Sequence, residues 1–294
     1  MTSKDIDPRV YELFDDYTHS RLSRREFLSR SAAITIGGVS ALAMAQALLP
    51  RYAEAQTVDF NDPRIKAAYV DYPSPGGSSG QMRGYLAQPA GDSPFPAVLV
   101  VHENRGLNPY IEDVARRAAT EGFLALAPDG LAPIGGYPGN DDDGRAMQNT
   151  LDQGQLRRDM LNSARFLLGH SLSTGKLGVT GFCWGGGTTN YLAVELGSDF
   201  SAAVPFYGSA PATEDVAKIT APLLLHFAEN DRRINATWQG YEQALANAGA
   251  QYEAHIYPGT SHGFHNDHHR IPELCKVFPR RYLQPAVCVP FCSS

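Results

Sequence analysis

The sequence has little cysteine, no long run of basic residues and no internal repeat, and each absence excludes a class of protein. Four cysteines among 294 residues are too few for a disulfide scaffold. The 25 lysines and arginines are outnumbered by 31 aspartates and glutamates, and the net charge of -6 argues against a nucleic-acid partner. The 28 glycines and 20 prolines are too few for a low-complexity chain, whereas 43% apolar residues suffice for a folded core.

The N-terminal part of the chain has a pattern typical of protein export. The sequence SRREFL at residues 23–28 precedes a mildly apolar run at residues 32–49, and small residues at 53 and 55 suit a signal peptidase. The paired arginines resemble the twin-arginine export signal of bacteria. We therefore expect residues 1–55 to be a signal peptide that is removed after Ala55. The twin-arginine export machinery would be a partner, and the protein would be periplasmic or secreted. The alternative is an uncleaved membrane anchor, although the run is shorter than the roughly 20 apolar residues of a stable span.

Strand and helix patterns alternate over residues 56–267, which we expect to form one domain. Short apolar runs are typical of buried strands, and apolar residues recur at helical spacing between them. The strand-like runs are at residues 97–101, 123–127, 177–180, 202–207, 222–227 and 252–257. This alternation predicts an α/β fold with a mostly parallel central sheet and helices on both faces. Two earlier strands, near residues 67–72 and 82–88, are expected to form a hairpin at one edge.

The last 27 residues, 268–294, depart from this alternation. They contain Pro279, Pro285 and Pro290 and no apolar repeat of helical period, which argues against a long helix. Cys288 and Cys292 could pair in an oxidising compartment, but the sequence leaves their state open. We treat this segment as an atypical tail.

A cysteine lies in a glycine-rich turn after the strand near residues 177–180. The sequence GFCWGGG at residues 181–187 places Cys183 in a Gly-x-nucleophile-x-Gly pattern, where a tight strand-to-helix turn excludes side chains on either side. A thiol at a helix N-terminus is favoured as thiolate. The alternatives are a buried structural cysteine beside a packing turn, or a phosphate-binding loop, which would need no cysteine.

A nucleophile needs a base, and the base needs a group that orients it. Asp231 and His262 each follow a predicted strand, so both are expected at the edge of the sheet where open sheets build their sites. The chain order nucleophile, acid, histidine permits a triad of Cys183, Asp231 and His262. Glu229 is a rival for the acid.

These motifs together resemble the dienelactone hydrolase family of α/β-hydrolases. The residues that carry the resemblance are HENRGLN at 102–108, GFCWGG at 181–186, AEND at 228–231 and HGF at 262–264. The resemblance implies the α/β-hydrolase fold and a hydrolase, without cofactor or metal, of small esters or lactones. It implies a Cys183–His262–Asp231 triad and a Glu103 that holds the thiol proton in the resting enzyme.

The residues themselves agree with this mechanism and leave some roles open. Backbone N–H groups of Trp184 and Asn104 are the expected donors to the oxyanion. Glu103 follows a buried strand, and a carboxylate near a thiol competes for its proton. An ion pair between Glu103 and Arg105 is the alternative.

Several features of the sequence are not explained by the resemblance to the dienelactone hydrolase family. No basic residue follows His262 before Arg270, so recognition of a substrate carboxylate is not predicted, and Arg105 and Arg145 are possible substitutes. Histidines and an aspartate at residues 262–269 resemble a metal set but match no ligand spacing, and residues 140–144 are expected to be a solvated loop. We expect a monomer. Two alternative functions remain open. One is other thiol chemistry, such as thioester or haloacid hydrolysis, and the other is a non-catalytic binding role.

Overall fold

The computed structural model describes residues 7–19, 21–36, 39–49 and 56–265. The predicted tail at 268–294 with its cysteines, the expected cleavage site at Ala55 and the histidines at 268 and 269 lie outside these residues.

The N-terminal segment forms a small folded unit of its own. Its elements are α1 (Pro8–Thr18), α2 (Arg24–Ala32), a hairpin of β1 (Thr35–Ile36) and β2 (Val39–Ser40), and α3 (Leu42–Leu48). They share a buried apolar cluster of Val10, Phe14, Tyr17, Leu22, Phe27, Ala41 and Ala45.

The SRREFL motif forms the N-terminal cap and first turns of α2. The Ser23 hydroxyl accepts from the backbone N–H of Glu26, and the Glu26 carboxylate accepts from the backbone N–H of Ser23. The apolar run at residues 32–49 is divided between the end of α2, the hairpin and α3. Among the described residues, none of the helices has the length and apolar character needed to cross a bilayer. Removal of residues 1–55 as a signal stays a prediction.

A mixed eight-stranded sheet forms the centre of the remaining chain. The strands are β3 (Ile65–Ser74), β4 (Gly80–Pro89), β5 (Phe95–Val101), β6 (Leu124–Pro128), β7 (Ser173–Phe182), β8 (Ala202–Phe206), β9 (Leu223–Asn230) and β10 (Tyr252–Ser261). Their order is β10-β9-β8-β7-β5-β6-β4-β3. All neighbours from β10 to β6 are parallel, while β4 pairs antiparallel with β6 and β3. The predicted α/β fold and the edge hairpin are confirmed.

Among the described residues, four helices pack on this sheet: α4 (Pro109–Thr120), α6 (Gln153–Leu168), α7 (Trp184–Leu196) and α8 (Arg232–Ala248). A further helix, α5 (Asp141–Gln148), lies in the connection between β6 and α6. Successive residues of β5 belong to different apolar clusters: Leu99 shares a cluster with residues of α6, α7 and α8, whereas Val98 shares a cluster with residues of α4. The strand is therefore buried on both faces, which explains its unbroken apolar sequence. The Asn108 side chain accepts from the N–H of Ile111 at 3.1 Å and begins α4, as the sequence indicates.

The expectation of a solvated loop at residues 140–144 is wrong. Asn140 caps α5 by accepting from the N–H of Asp143 at 2.9 Å, and three aspartates occupy the first turn. Negative charge at a helix N-terminus interacts favourably with the helix dipole, so the acidic run starts a helix. An eight-residue helix is too short to show a clear apolar period.

Candidate active site

Cys183 lies at a sharp bend between β7 and α7. Its φ of 57° is unusual for a residue with a side chain, and the bend is fixed because the Cys183 N–H donates to the Phe206 carbonyl at 3.1 Å. A Cβ on Gly181 would lie 2.2 Å from the Gly185 carbonyl oxygen, and a Cβ on Gly185 would lie 2.3 Å from the Val101 carbonyl oxygen. Both glycines are required by the closeness of β7, α7 and β5, which is the reason that the sequence pattern suggested.

The thiol is at the N-terminus of α7 and is half-buried. Cys183 therefore lies beside the partial positive charge of the α7 N-terminus. Trp184, whose backbone N–H is an expected oxyanion donor, is the first residue of that helix.

The structure brings Asp231 and His262 together. Asp231 directly follows β9 and caps α8, and His262 directly follows β10. The His262 Nδ1–H donates to Asp231 Oδ2 at 2.6 Å, with 2% and 0% of the side chains exposed. The rival Glu229 instead accepts from the backbone N–H of Gly259 at 2.6 Å. Of the two acids, Asp231 orients the imidazole.

The pKa of His262 depends on the nearby Cys183. Burial opposes the charged imidazolium, but the nearby Cys183 thiolate and the Asp231 carboxylate raise the pKa of His262 well above its usual value. A cysteine next to a buried imidazole that is hydrogen-bonded to a carboxylate is an arrangement in which the sulfur can act as a nucleophile and the imidazole can hold its proton.

Glu103 and Asn104 lie in the loop after β5. Glu103 is buried, and its Oε2 lies 3.6 Å from Arg105 Nε, so the ion pair considered from the sequence is present. Arg105 also donates to Asp141 Oδ2 at 3.1 Å. The half-buried Asn104 donates from its side chain to the Thr18 carbonyl at 3.3 Å. The role of Glu103 toward the thiol and the oxyanion role of Asn104 stay predictions.

Two groups at the site were not found from the sequence. Tyr207 has a φ of 35°, and its ring centroid is 4.6 Å from that of His262. The second is His19, whose ring centroid is 4.5 Å from that of His262. The positive φ of Tyr207 has no sequence signal because the residue reads as the end of a strand, and His19 was assigned to a removable signal.

One group among the described residues could in principle hold a metal ion. Ligand atoms of His19, Asp231 and His262 lie within 4.8 Å of one another. The Asp231–His262 hydrogen bond already occupies one carboxylate oxygen and one ring nitrogen. His265, a member of the set considered from the sequence, is hydrogen-bonded to Tyr207 and stacked on Phe182.

Comparison with known proteins identifies the group to which the chain belongs. A model of the dienelactone hydrolase family matches residues 82–280. The chain belongs to the dienelactone hydrolase family. A second family model, described as YqhI-like, matches residues 1–34.

Individual relatives extend this result. A Methylorubrum extorquens protein named "Putative carboxymethylenebutenolidase" is 30% identical over 284 residues, which cover 91% of each chain. The Escherichia coli "Putative hydrolase fragment YghX" is 61% identical over 115 residues, 39% of this chain and 97% of that protein. A crystal structure titled "Putative Dienelactone Hydrolase" from Klebsiella pneumoniae has a TM-score of 0.60 and 29% identity, covering 69% of this chain and 89% of that one. The protein is thus a lactone or ester hydrolase.

Proposed function

We propose that this dienelactone hydrolase-like enzyme cleaves small carboxylic esters or lactones through a Cys183–His262–Asp231 triad and an acyl-thioester intermediate. The observation that carries the proposal is the buried His262–Asp231 hydrogen bond of 2.6 Å beside a cysteine that raises the pKa of His262. The strained backbone of Cys183 is a second support, because such strain persists where function requires it.

The reaction would proceed in two acyl-transfer steps. The Cys183 thiolate attacks the carbonyl carbon, and the oxyanion accepts hydrogen bonds from the backbone N–H groups of Trp184 and Asn104, each worth about 3–4 kcal/mol. The C–O bond to the leaving group breaks, and the alkoxide takes the proton of His262. His262 then removes a proton from a water molecule, and the resulting hydroxide attacks the thioester. The C–S bond breaks, which releases the carboxylic acid and regenerates the Cys183 thiolate beside protonated His262.

Two substitutions test the triad. We expect Cys183→Ala and His262→Ala each to remove nearly all turnover of a p-nitrophenyl ester by the folded protein. One iodoacetamide label on Cys183 should abolish turnover as well. A wild-type rate in either variant would show that the triad is wrong. Absence of turnover by the wild-type protein itself would favour the non-catalytic alternative.

The substrate class is tested separately. A panel of lactones, aryl esters, thioesters and haloacids compares the proposed chemistry with the other thiol reactions. Turnover of haloacids in preference to all esters and lactones would move the assignment to dehalogenation.

Glu103 is proposed to restrain the thiol in the resting enzyme. A buried carboxylate that takes or holds the thiol proton would keep Cys183 unreactive until substrate arrives, which limits oxidation. The support is the burial of Glu103 in the loop after β5, with Arg105 as its partner. Faster alkylation of Glu103→Gln than of wild type is the expected result, and an unchanged rate assigns Glu103 to the ion pair alone.

The location is also a proposal. The paired Arg24 and Arg25 support export by the twin-arginine machinery, which carries folded proteins, to the periplasm or beyond. Replacement of both by lysine should leave the enzyme in the cytoplasmic fraction of the producing cell. Equal export of both forms would contradict the proposal.

A further inference from the structure

The end of α1 docks on the catalytic loops through three successive residues. The Tyr17 carbonyl accepts from Arg145 Nη1 at 3.0 Å, the Thr18 carbonyl accepts from Asn104, and the His19 ring lies on His262. These contacts reach the loop after β5, helix α5 and the loop after β10. The N-terminal segment therefore meets the same groups that the triad proposal uses.

The docking is built from buried, oriented groups. Arg145 is 5% exposed, and its guanidinium lies 4.3 Å from the Tyr17 ring centroid. The His19 side chain is 7% exposed; its Nδ1–H donates to the Asp15 carbonyl at 2.9 Å, and the Asp15 carboxylate lies 3.4 Å away. These two contacts with Asp15 orient the ring of His19.

The His19 ring restricts the motion of the catalytic imidazole. His262 lies in a turn at the end of β10, where a short segment could rotate its side chain away from Asp231. Among the described residues, the ring of Tyr207 in the hydrolase domain and the ring of His19 in the N-terminal segment contact it. Loss of the His19 ring would remove one of these two contacts, which hold Nδ1 on the carboxylate.

We infer that residues 7–49 remain on the working enzyme as a wall of the active site, with His19 as a positioning residue that holds His262 against Asp231. This inference rests on the proposed triad. The segment has its own apolar cluster, as a folded wall requires, and Cys183 stays partly exposed with the segment docked. The wall therefore leaves the nucleophile partly accessible.

Substitution of His19 tests the positioning role. We expect His19→Ala to lower kcat at least about tenfold with little change in KM, because small displacements of a catalytic group are costly. His19→Phe keeps a ring and should recover most of that kcat. Arg30→Ala on the exposed face of α2 is the control and should behave as wild type, since Arg30 is 57% exposed. A wild-type kcat in His19→Ala, or a His19→Phe variant as slow as His19→Ala, would overturn the positioning role.

A measurement on the unaltered protein covers the case in which His19→Ala does not fold. Intact mass and N-terminal sequencing of the active enzyme from its producing cell should find residues 7–49 present. Full activity in a form that begins after Ala55 would overturn the inference. Cys183→Ala separates the two proposals. An active Cys183→Ala refutes the triad, whereas an inactive Cys183→Ala together with a normal His19→Ala refutes only the positioning role of His19.

Discussion

Gly185→Ala should displace the nucleophile by a steric route that the structure makes explicit. The added Cβ would lie 2.3 Å from the Val101 carbonyl oxygen and 2.5 Å from that of His102. Both are backbone atoms next to a central strand, so no flexible side chain can move aside. Helix α7 must shift away from β5 by about 1 Å to reach an ordinary contact distance.

The magnitude follows from two opposing terms. Overpacking of this kind costs about 1–3 kcal/mol, and rigid backbone neighbours place the cost near the upper end. Replacing a glycine in the first turn of a helix by alanine stabilises the folded state by up to about 1 kcal/mol. The net loss of about 2 kcal/mol corresponds to a fall in Tm of about 4–8 °C for a domain of this size. A 1 Å displacement of the neighbouring Cys183 should lower kcat/KM about 100-fold.

Gly240→Ala is the matched control. Gly240 is exposed in the interior of α8, and a Cβ built on it meets nothing within 4 Å. The same chemical change should therefore stabilise the protein by about 0.5–1 kcal/mol and leave activity unchanged. Thermal unfolding and ester hydrolysis of both variants are the assays. The steric reasoning fails if Gly185→Ala unfolds within about 1 °C of wild type and retains its kcat/KM.

Three further predictions follow from other contacts. Against the opposing effect of burial, Cys183 and Asp231 both raise the pKa of His262, and Asp231→Asn removes the second of these charges. Iodoacetamide labelling near neutral pH should therefore slow and kcat should fall by up to about 10⁴-fold, whereas unchanged kinetics would exclude an electrostatic role. Burial raises the pKa of Asp129 from 3.8 to about 6, so the native state binds its proton more tightly than the unfolded chain and loses stability as pH rises between these values. Asp129→Asn should accordingly gain about 2.4 kcal/mol relative to wild type on going from about pH 4 to pH 7.5 in urea titrations, and a pH-independent difference would refute the assignment. Asn108→Ala should lower the free energy of unfolding by about 1 kcal/mol through loss of the α4 cap, which an unchanged urea midpoint would contradict.

The sheet and its catalytic edge could be predicted because their causes are local. Val98 and Leu99 face opposite apolar clusters, so a strand buried on both faces reads as a continuous apolar run. The bend at Cys183 requires glycines at fixed positions, and the order of the strands puts Asp231 and His262 at the same sheet edge. The local sequence therefore predicts both the strands and the sheet edge at which these side chains lie.

Other features depend on contacts that no local pattern encodes. The acidic turn of α5 reads as a loop until Asn140 is recognised as its cap. The sequence permits Glu103 either to act on the Cys183 thiol or to pair with Arg105, and only the folded loop shows that Arg105 lies 3.6 Å away. The choice of Asp231 over Glu229 as the partner of His262 needed the path of the chain after β9.

The N-terminal segment shows most clearly where local patterns are ambiguous. The SRREFL motif is typical of an export signal and also of a helix N-terminus, because Ser23 and Glu26 form a capping box around the paired arginines. A short, mildly apolar run can belong to a cleaved leader or form the interior of a small helical unit, and composition does not distinguish these two cases. The distinction lies in the docking of Tyr17 and His19 on residues far along the chain, such as Arg145 and His262. Export of a folded enzyme and retention of its N-terminal wall are compatible, so the N-terminus of the active protein, and not its location, separates a leader from a part of the site.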